Sequence, residues 1–269
     1  MRNIKTYHYP ASQTERGVFT LGGNTSVQTW EEQEIIALKT LLSKSIPKNF
    51  FSPTTNVLDI GAGTGRLPNI IRVKGKWTLV EPDLSRASQA KKNNVFRKDS
   101  VITNFFQNIL FPPLSFDVVF CMHLAQHVSE DDWENILKKV RRVIKSNGYF
   151  ILAFTMKNSL FGTYNIQWQK SGEVIMSEVP KLIFNSIAND RSSEILPIKK
   201  IDINEMVQQL TKFSLKVVQY EYYSPIFSSR LQRILRWFIS NFSVEQQSIL
   251  LKKLGYSHYF DCVMVAQKI

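Results

Sequence analysis

Two cysteines in 269 residues, Cys121 and Cys262, are too few for a disulfide framework or a zinc cage. The longest uninterrupted apolar runs, such as Tyr149 to Phe154, fall far short of the roughly 18 residues needed to span a bilayer. The opening stretch MRNIKTYHYP has no apolar h-region, so no secretory signal is expected. No tract is of low complexity and no segment repeats. Acid is in short supply: 22 Asp+Glu stand against 34 Lys+Arg, a formal charge of +12. What is present is the composition of a folded chain, 43% hydrophobic and 21% charged. That argues for a globular protein, and the expectation is a reduced, cytoplasmic one with no membrane partner.

The basic excess invites a nucleic-acid reading, so its distribution matters. It is +7 over residues 1–156 and +5 over 157–269, with no basic tail. The local clusters, such as Lys138, Lys139, Arg141 and Arg142, fall where a solvated helix face would be. Nucleic acid is therefore a possible partner but not the favoured one.

Along the chain, Thr29 followed by Glu32 has capping-box spacing and opens a helix with Ile35, Leu38, Leu41 and Leu42 on its apolar side. From Asn56 the texture changes to short apolar runs alternating with helical patterns. The runs are Asn56 to Ile60, one containing Thr78 to Val80, Val101 to Phe106, Phe116 to Cys121, and Tyr149 to Phe154 after a turn at Asn147-Gly148. The clearest helix spans Ser129 to Lys145, with Trp133, Ile136, Leu137, Val140 and Ile144 on one face. Ser129 is its N-cap, acids fill its first turn and bases its last. Strands alternating with helices imply βαβ units and a mainly parallel sheet. Residues 157–200 read as irregular. Asp202 and Glu205 then open a helix, Leu215 to Tyr223 is a sixth strand, helices follow at about 228–241 and 243–254, and Tyr259 to Gln267 is the last strand. In the later helix at 228–241, Leu231, Ile234, Leu235 and Phe238 are expected to face inward and Arg230, Arg233 and Arg236 outward. The divisions expected are 1–50, an N-terminal helical cap; 51–156, the cofactor-binding core; 157–200, an insertion or lid; and 201–269, completing the sheet with a helical insertion at 224–255.

The sharpest signal is VLDIGAGTGRL, Val57 to Leu67. A strand ends at Ile60, and Gly61, Gly63 and Gly65 form a turn before a helix expected near Arg66. Glycines accept positive φ and let a ligand lie against bare backbone. Glu81 ends the next strand, where a carboxylate can accept both hydroxyls of a ribose. Strand, glycine loop, helix, strand and acid in that order make a nucleoside site. Dinucleotide folds place the third glycine one position later, and Asp59 at the strand end would repel a pyrophosphate. The same carboxylate would stabilise a cationic amino group, which favours S-adenosylmethionine.

With these residues in view, the chain resembles the class I S-adenosylmethionine-dependent methyltransferases, and most of all the ubiquinone-biosynthesis-type (methyltransferase type 11) enzymes that act on small molecules. Four blocks carry the resemblance: VLDIGAGTGRL, TLVEPD from Thr78, FDVVFCMHLAQHV from Phe116, and RRVIKSNGYFILAF from Arg141. It implies an α/β fold, a doubly wound Rossmann-like seven-stranded sheet. That sheet would be mostly parallel with the last strand antiparallel, with helices on both faces and an inserted acceptor-pocket lid. It also implies a cofactor site. Asp59, Gly61, Ala62, Gly63, Thr64 and Gly65 would line the methionine part. Glu81 would hold the ribose, Pro82 and Asp83 would border the adenine, and Met122 and His123 would lie beside the sulfonium. An acid that the family often carries after the third strand is replaced here by Gln107 and Asn108, followed by Ile109. The Asn108 carbonyl oxygen can still take the adenine amino group's hydrogen bond.

His127 matches a family position near the acceptor and, with His123, is a candidate general base; capping the next helix is the plainer alternative. Phe161, Tyr164, Trp168, Tyr222 and Tyr223 are candidates for an acceptor pocket or for core, and Tyr7, Tyr9 and Trp30 for an N-terminal lid. No carboxylate cluster suggests a metal. The expected reaction is methyl transfer from S-adenosyl-L-methionine to a small-molecule nitrogen, oxygen or carbon nucleophile, leaving S-adenosyl-L-homocysteine, by a monomer or homodimer. An RNA or protein methyltransferase is the alternative, although Phe120-Cys121-Met122-His123 stands where base-modifying enzymes carry an Asn/Asp-Pro-Pro-Tyr/Phe block. A non-catalytic cofactor-binding partner subunit is the second alternative.

Overall fold

The computed structural model describes residues 27–71, 75–93, 100–156, 163–168, 174–179, 195–197, 201–225, 230–239, 241–254 and 259–269. Helix α1 (Val27–Ser45) precedes β1 (Asn56–Ile60), α2 (Leu67–Ile70), β2 (Lys76–Val80), α3 (Leu84–Asn93) and β3 (Ser100–Ile102). After a single 3-10 turn at Phe106–Asn108 come β4 (Phe116–Met122), another 3-10 turn at Ala125–His127, α4 (Glu130–Val143) and β5 (Ile144–Thr155). Then follow β6 (Thr163–Trp168), β7 (Val174–Val179), β8 (Ile195–Pro197), α5 (Ile203–Lys212) and β9 (Leu215–Pro225). The last elements are α6 (Arg230–Ile239), α7 (Val244–Lys253) and β10 (Tyr259–Lys268).

Seven strands form one sheet in the order β3-β2-β1-β4-β5-β10-β9. The ladders from β3 through β5 are parallel, and β10 alone runs against its neighbours β5 and β9. The expected doubly wound sheet with one reversed strand is therefore present. Both faces are covered, which is why its strands read as continuous apolar runs rather than alternating ones. Phe150, Leu152 and Phe154 of β5 join Trp133, Ile136 and Val140 of α4 and Met206 and Leu210 of α5 in one buried cluster. Tyr149, Ile151 and Ala153 join Leu38, Leu41 and Leu42 of α1 in the other. Cys121 and Cys262 are free and buried within strands of the first cluster.

Local chemistry sets the element ends. Ser129 caps α4 by accepting the Asp132 N–H at 3.1 Å. The Asp202 carboxylate caps α5 through the N–H groups of Asn204 and Glu205. A Cβ on Gly75 would lie 1.9 Å from the Thr55 carbonyl oxygen, so the turn into β2 admits no side chain there. At the sheet's far edge, Glu221 of β9 accepts from Lys44 of α1 at 2.8 Å and from Lys252 of α7, tying both helices to β9.

Four expectations change. Helix α1 starts at Val27, so Thr29 lies inside it rather than at its N-cap. The third strand is only Ser100–Ile102, because the chain leaves the sheet for the 3-10 turn that buries Phe106. Segment 157–200 is not wholly irregular: β7-β6-β8 form an antiparallel sheet, and the alternation Tyr164, Ile166, Trp168 is its period-two signal. Finally, Ile234 and Phe238 of α6 are not inward. They are 60% and 56% exposed, because the helix packs through Ile239, which lies on another side of it.

Candidate active site

The glycine loop leaves the C-terminal end of β1 at the middle of the sheet, where β2 and β4 flank it. Gly61, Gly63 and Gly65 take φ of 72°, 57° and 73°, the left-handed region that side chains disfavour. The Gly61 and Ala62 N–H groups donate to the Val80 carbonyl at 2.9 and 3.0 Å, which pins the loop's first turn to β2. The Gly63 N–H donates to Glu81 Oε2 at 2.9 Å, and the Asp83 N–H to Glu81 Oε1 at 3.0 Å. Glu81 is thus buried and oriented by two backbone donors, with lone pairs left on both oxygens. Burial raises its pKa; the Arg86 charge and the two N–H groups only partly oppose this. Asp59 is buried one residue before the end of β1. The three-glycine cradle, Glu81 and Asp59 together fit the methionine and ribose parts of S-adenosylmethionine.

Asp83 supports the scaffold: its side chain accepts the Arg86 N–H at 2.9 Å at the start of α3. Pro82 is half-buried between Glu81 and Asp83. Gln107 and Asn108 lie in the 3-10 turn after β3, followed by half-buried Ile109, and Lys139 Nζ donates to the carbonyls of Phe106 and Gln107 at 2.6 and 3.0 Å. The Asn108 side chain is exposed, and its Nδ2 lies 3.4 Å from Asn104 Oδ1. Thr64 offers its carbonyl to Asn93 of α3 at 2.9 Å.

Beside the loop lies a buried polar network that the sequence did not announce. Glu34 of α1, 1% exposed, pairs with Arg66 at the end of the glycine loop and with His123 Nε2 at 3.1 Å. Tyr223 of β9 places its hydroxyl 2.6 Å from the same nitrogen. His123 Nδ1 faces Gln126 Oε1 at 3.4 Å, and that oxygen already accepts the Thr155 N–H at 2.8 Å. Both ring nitrogens therefore face acceptors, which suits an imidazolium. Burial works against the charge, but the hydrogen bond to Glu34 and the Glu34 charge outweigh it and raise the His123 pKa. For Glu34, burial is likewise opposed: the Arg66 guanidinium and His123 bring its carboxyl down to about 2. Burial, with the charges of Glu34 and Asp261, pushes the Tyr223 hydroxyl well up. One signal could have revealed Glu34. It is an acid on the stripe of Leu38, Leu41 and Leu42, at i, i+4, i+7 and i+8.

His123 and His127 do not share a helical face. His123 follows the end of β4 in a left-handed conformation, φ 57°, and His127 closes the 3-10 turn. Gln126 joins them, since its Nε2 lies 3.5 Å from His127 Nε2. Met122, half-buried, is the last residue of β4. Tyr222 lines an open cleft between α1 and α7 with Gln33, Ile36, Thr40, Gln247 and Ser248. Tyr7, Tyr9 and Phe161 lie outside the described residues. So do the side chains of Trp30, Tyr164 and Trp168, although their backbones belong to α1 and β6.

Residues 58–152 match the model of the family described as methyltransferase domain. That segment is thus similar to a methyltransferase domain, and the seven-stranded sheet has the fold of the class I S-adenosylmethionine-dependent methyltransferases. An uncharacterised methyltransferase of Bacillus subtilis, YcgJ, is 32% identical over 105 residues, 36% of this chain and 39% of that protein. The match thus spans about two fifths of that relative's length. The magnesium protoporphyrin IX methyltransferase of Synechocystis PCC 6803, solved with S-adenosylhomocysteine, superposes with a TM-score of 0.56 at 10% identity over 96% of this chain and 93% of its own. The geranyl diphosphate C-methyltransferase of Streptomyces coelicolor A3(2), solved with Mg2+, geranyl diphosphate and S-adenosylhomocysteine, gives 0.56 at 12% identity over 91% and 81%. At these identities the likeness is one of fold. Among the described residues, no group of three or more His, Cys, Asp or Glu side chains could hold a metal ion.

Proposed function

We propose that the protein transfers a methyl group from S-adenosylmethionine to a small-molecule nitrogen, oxygen or carbon nucleophile. One observation carries the reading: three left-handed glycines after a buried strand, closed by the Gly63 N–H on the Glu81 carboxylate. When bound, the cofactor supplies an activated methyl group on a sulfonium. The chain's share is placement, since alignment of nucleophile and leaving group is the main barrier left. Glu81 accepts the ribose hydroxyls through its remaining lone pairs. Asp59 offers its charge to the cofactor's ammonium, while the bare glycine backbone allows close approach. Pro82, Asp83, Gln107, Asn108 and Ile109 border the adenine, and Met122 flanks the methionine part.

His127 is the proposed proton acceptor for acceptors that ionise as they attack. His123, with both nitrogens facing acceptors, is a positioning residue that links the glycine loop to β9. Tyr9, Trp30, Phe161, Tyr164, Trp168 and Tyr222 are the proposed acceptor side of the site. No metal is assigned a role. The small-molecule reading is supported by the segments 157–200 and 224–255, which lie outside the core of 51–156, and by the even spread of basic charge. Incubating the protein with methyl-labelled S-adenosylmethionine and a fractionated cell extract tests it. Label is expected in the low-molecular-weight fraction; label confined to RNA or protein would overturn the acceptor class.

A further inference from the structure

We propose that α6 is an interfacial helix that docks the protein on an anionic lipid surface, beyond any role in methyl transfer. Three of its described apolar side chains stand outside the core. Ile234, Trp237 and Phe238 are 60%, 74% and 56% exposed, and Phe242, just past the helix, is 40% exposed. They recur at i, i+3, i+4 and i+8, which is one stripe of a helix. The Phe238 and Phe242 rings lie 6.0 Å apart, so the stripe continues around the turn into α7. Ile239 alone among the described α6 side chains is buried, which leaves the stripe on the outside of a helix that is already anchored. A run of exposed aromatic and aliphatic side chains in a folded chain marks a surface that meets something apolar.

The charge pattern says what that something is. Arg230, Arg233 and Arg236 interleave with the stripe, and no Asp or Glu occurs between Glu221 and Glu245. A short helix with arginines beside Trp, Phe and Ile has the make-up of one that lies in the plane of a bilayer, its rings among the acyl chains and its cations on anionic headgroups. It does not cross: among the described residues, no helix is long and apolar enough to span a membrane. The whole chain, at +12, adds attraction to a negative surface.

Position fits as well. β9 runs the same way as β5, so Pro225 ends at the sheet edge that carries the glycine loop. Arg230 follows five residues later, within about 17 Å of that edge at full extension. A docked α6 would hold the open edge of the sheet near the lipid.

Co-sedimentation with phosphatidylcholine vesicles and with mixed phosphatidylcholine–phosphatidylglycerol vesicles tests this without any methylation assay. The full chain is expected to bind the mixed vesicles and not the neutral ones, with a blue shift in the Trp237 emission isolated against Trp237→Phe. Arg233→Gln/Arg236→Gln should lower partitioning about 30-fold, from roughly a factor of five per cation. Trp237→Ser/Phe238→Ser should abolish binding while leaving the circular dichroism spectrum unchanged. Four results would each overturn the proposal: no binding to the mixed vesicles, equal binding to both kinds, binding indifferent to these variants, or a wild-type dimer that Trp237→Ser/Phe238→Ser converts to monomer. RNA retention lost in the arginine variant, without vesicle binding, would also overturn it and reassign the face to nucleic acid.

Discussion

Replacing Glu34 with Gln keeps the shape of the side chain and removes the charge that Arg66 and His123 share. The side chains are 2% exposed for Glu34, 22% for Arg66 and 15% for His123, so solvent screens the group little. A Glu34 pKa near 2 against an ordinary 4.5 corresponds to about 3 kcal/mol of stability. Loss of one member of a buried ion pair costs about 3–5 kcal/mol, which agrees. For a chain of this size that is a fall of about 6–12 °C in Tm. The pH dependence follows from the two shifts. The depressed Glu34 pKa gives stability that is complete above its ordinary value and is lost as pH falls from about 4.5 toward 2. The raised His123 pKa gives stability that is complete below 6.5 and is lost as pH rises through its folded value. The difference between wild type and Glu34→Gln, from urea unfolding across a pH series, should therefore be a dome with its top between these windows. A difference that is flat with pH, or below about 0.5 kcal/mol as for an exposed pair, would refute the network as a structural clamp.

Other perturbations reach the site and the scaffold. Gly63→Ala forces a Cβ into φ 57° at a cost of about 1–2 kcal/mol and disturbs the donor to Glu81. Calorimetry should show weaker S-adenosylhomocysteine binding by a protein that still folds. Ser129→Ala removes the α4 cap and should lower stability by about 1 kcal/mol in urea unfolding, with cofactor affinity unchanged. His127→Asn should lower kcat about 100-fold or more and flatten the acid limb of the pH–rate profile, if the acceptor loses a proton as it attacks. An unaltered profile would leave His127 with no role beyond its turn.

How much of this was legible in the sequence depended on how local the cause was. The capped helix α4 is set by residues within a turn or two of each other, and periodicity found it. The glycine loop and Glu81, 18 residues apart at Gly63, were found because strand, loop, helix, strand and acid follow one another in a fixed order. Strand β1 matched its expected bounds because Asn56 and Gly61 punctuate it directly. The network around His123 was hidden because its members are far apart in the chain: Glu34 is 89 residues from His123, and Tyr223 is 100. Only the sheet order, with α1 laid over β9 and β10, brings them together. The orientation of α6 was misread for a related reason. A sequence stripe shows that a helix is two-faced, and only the packing of Ile239 decides which face meets the protein.

The most direct test of the account is isothermal titration of the protein with S-adenosylmethionine, repeated with Glu81→Gln. Saturable binding to a single site is expected, weakened about 10- to 100-fold by loss of the charged acceptor on the ribose. No heat of binding at about 1 mM cofactor, a limit near −4 kcal/mol, would contradict the assignment of the glycine loop and Glu81 to this cofactor.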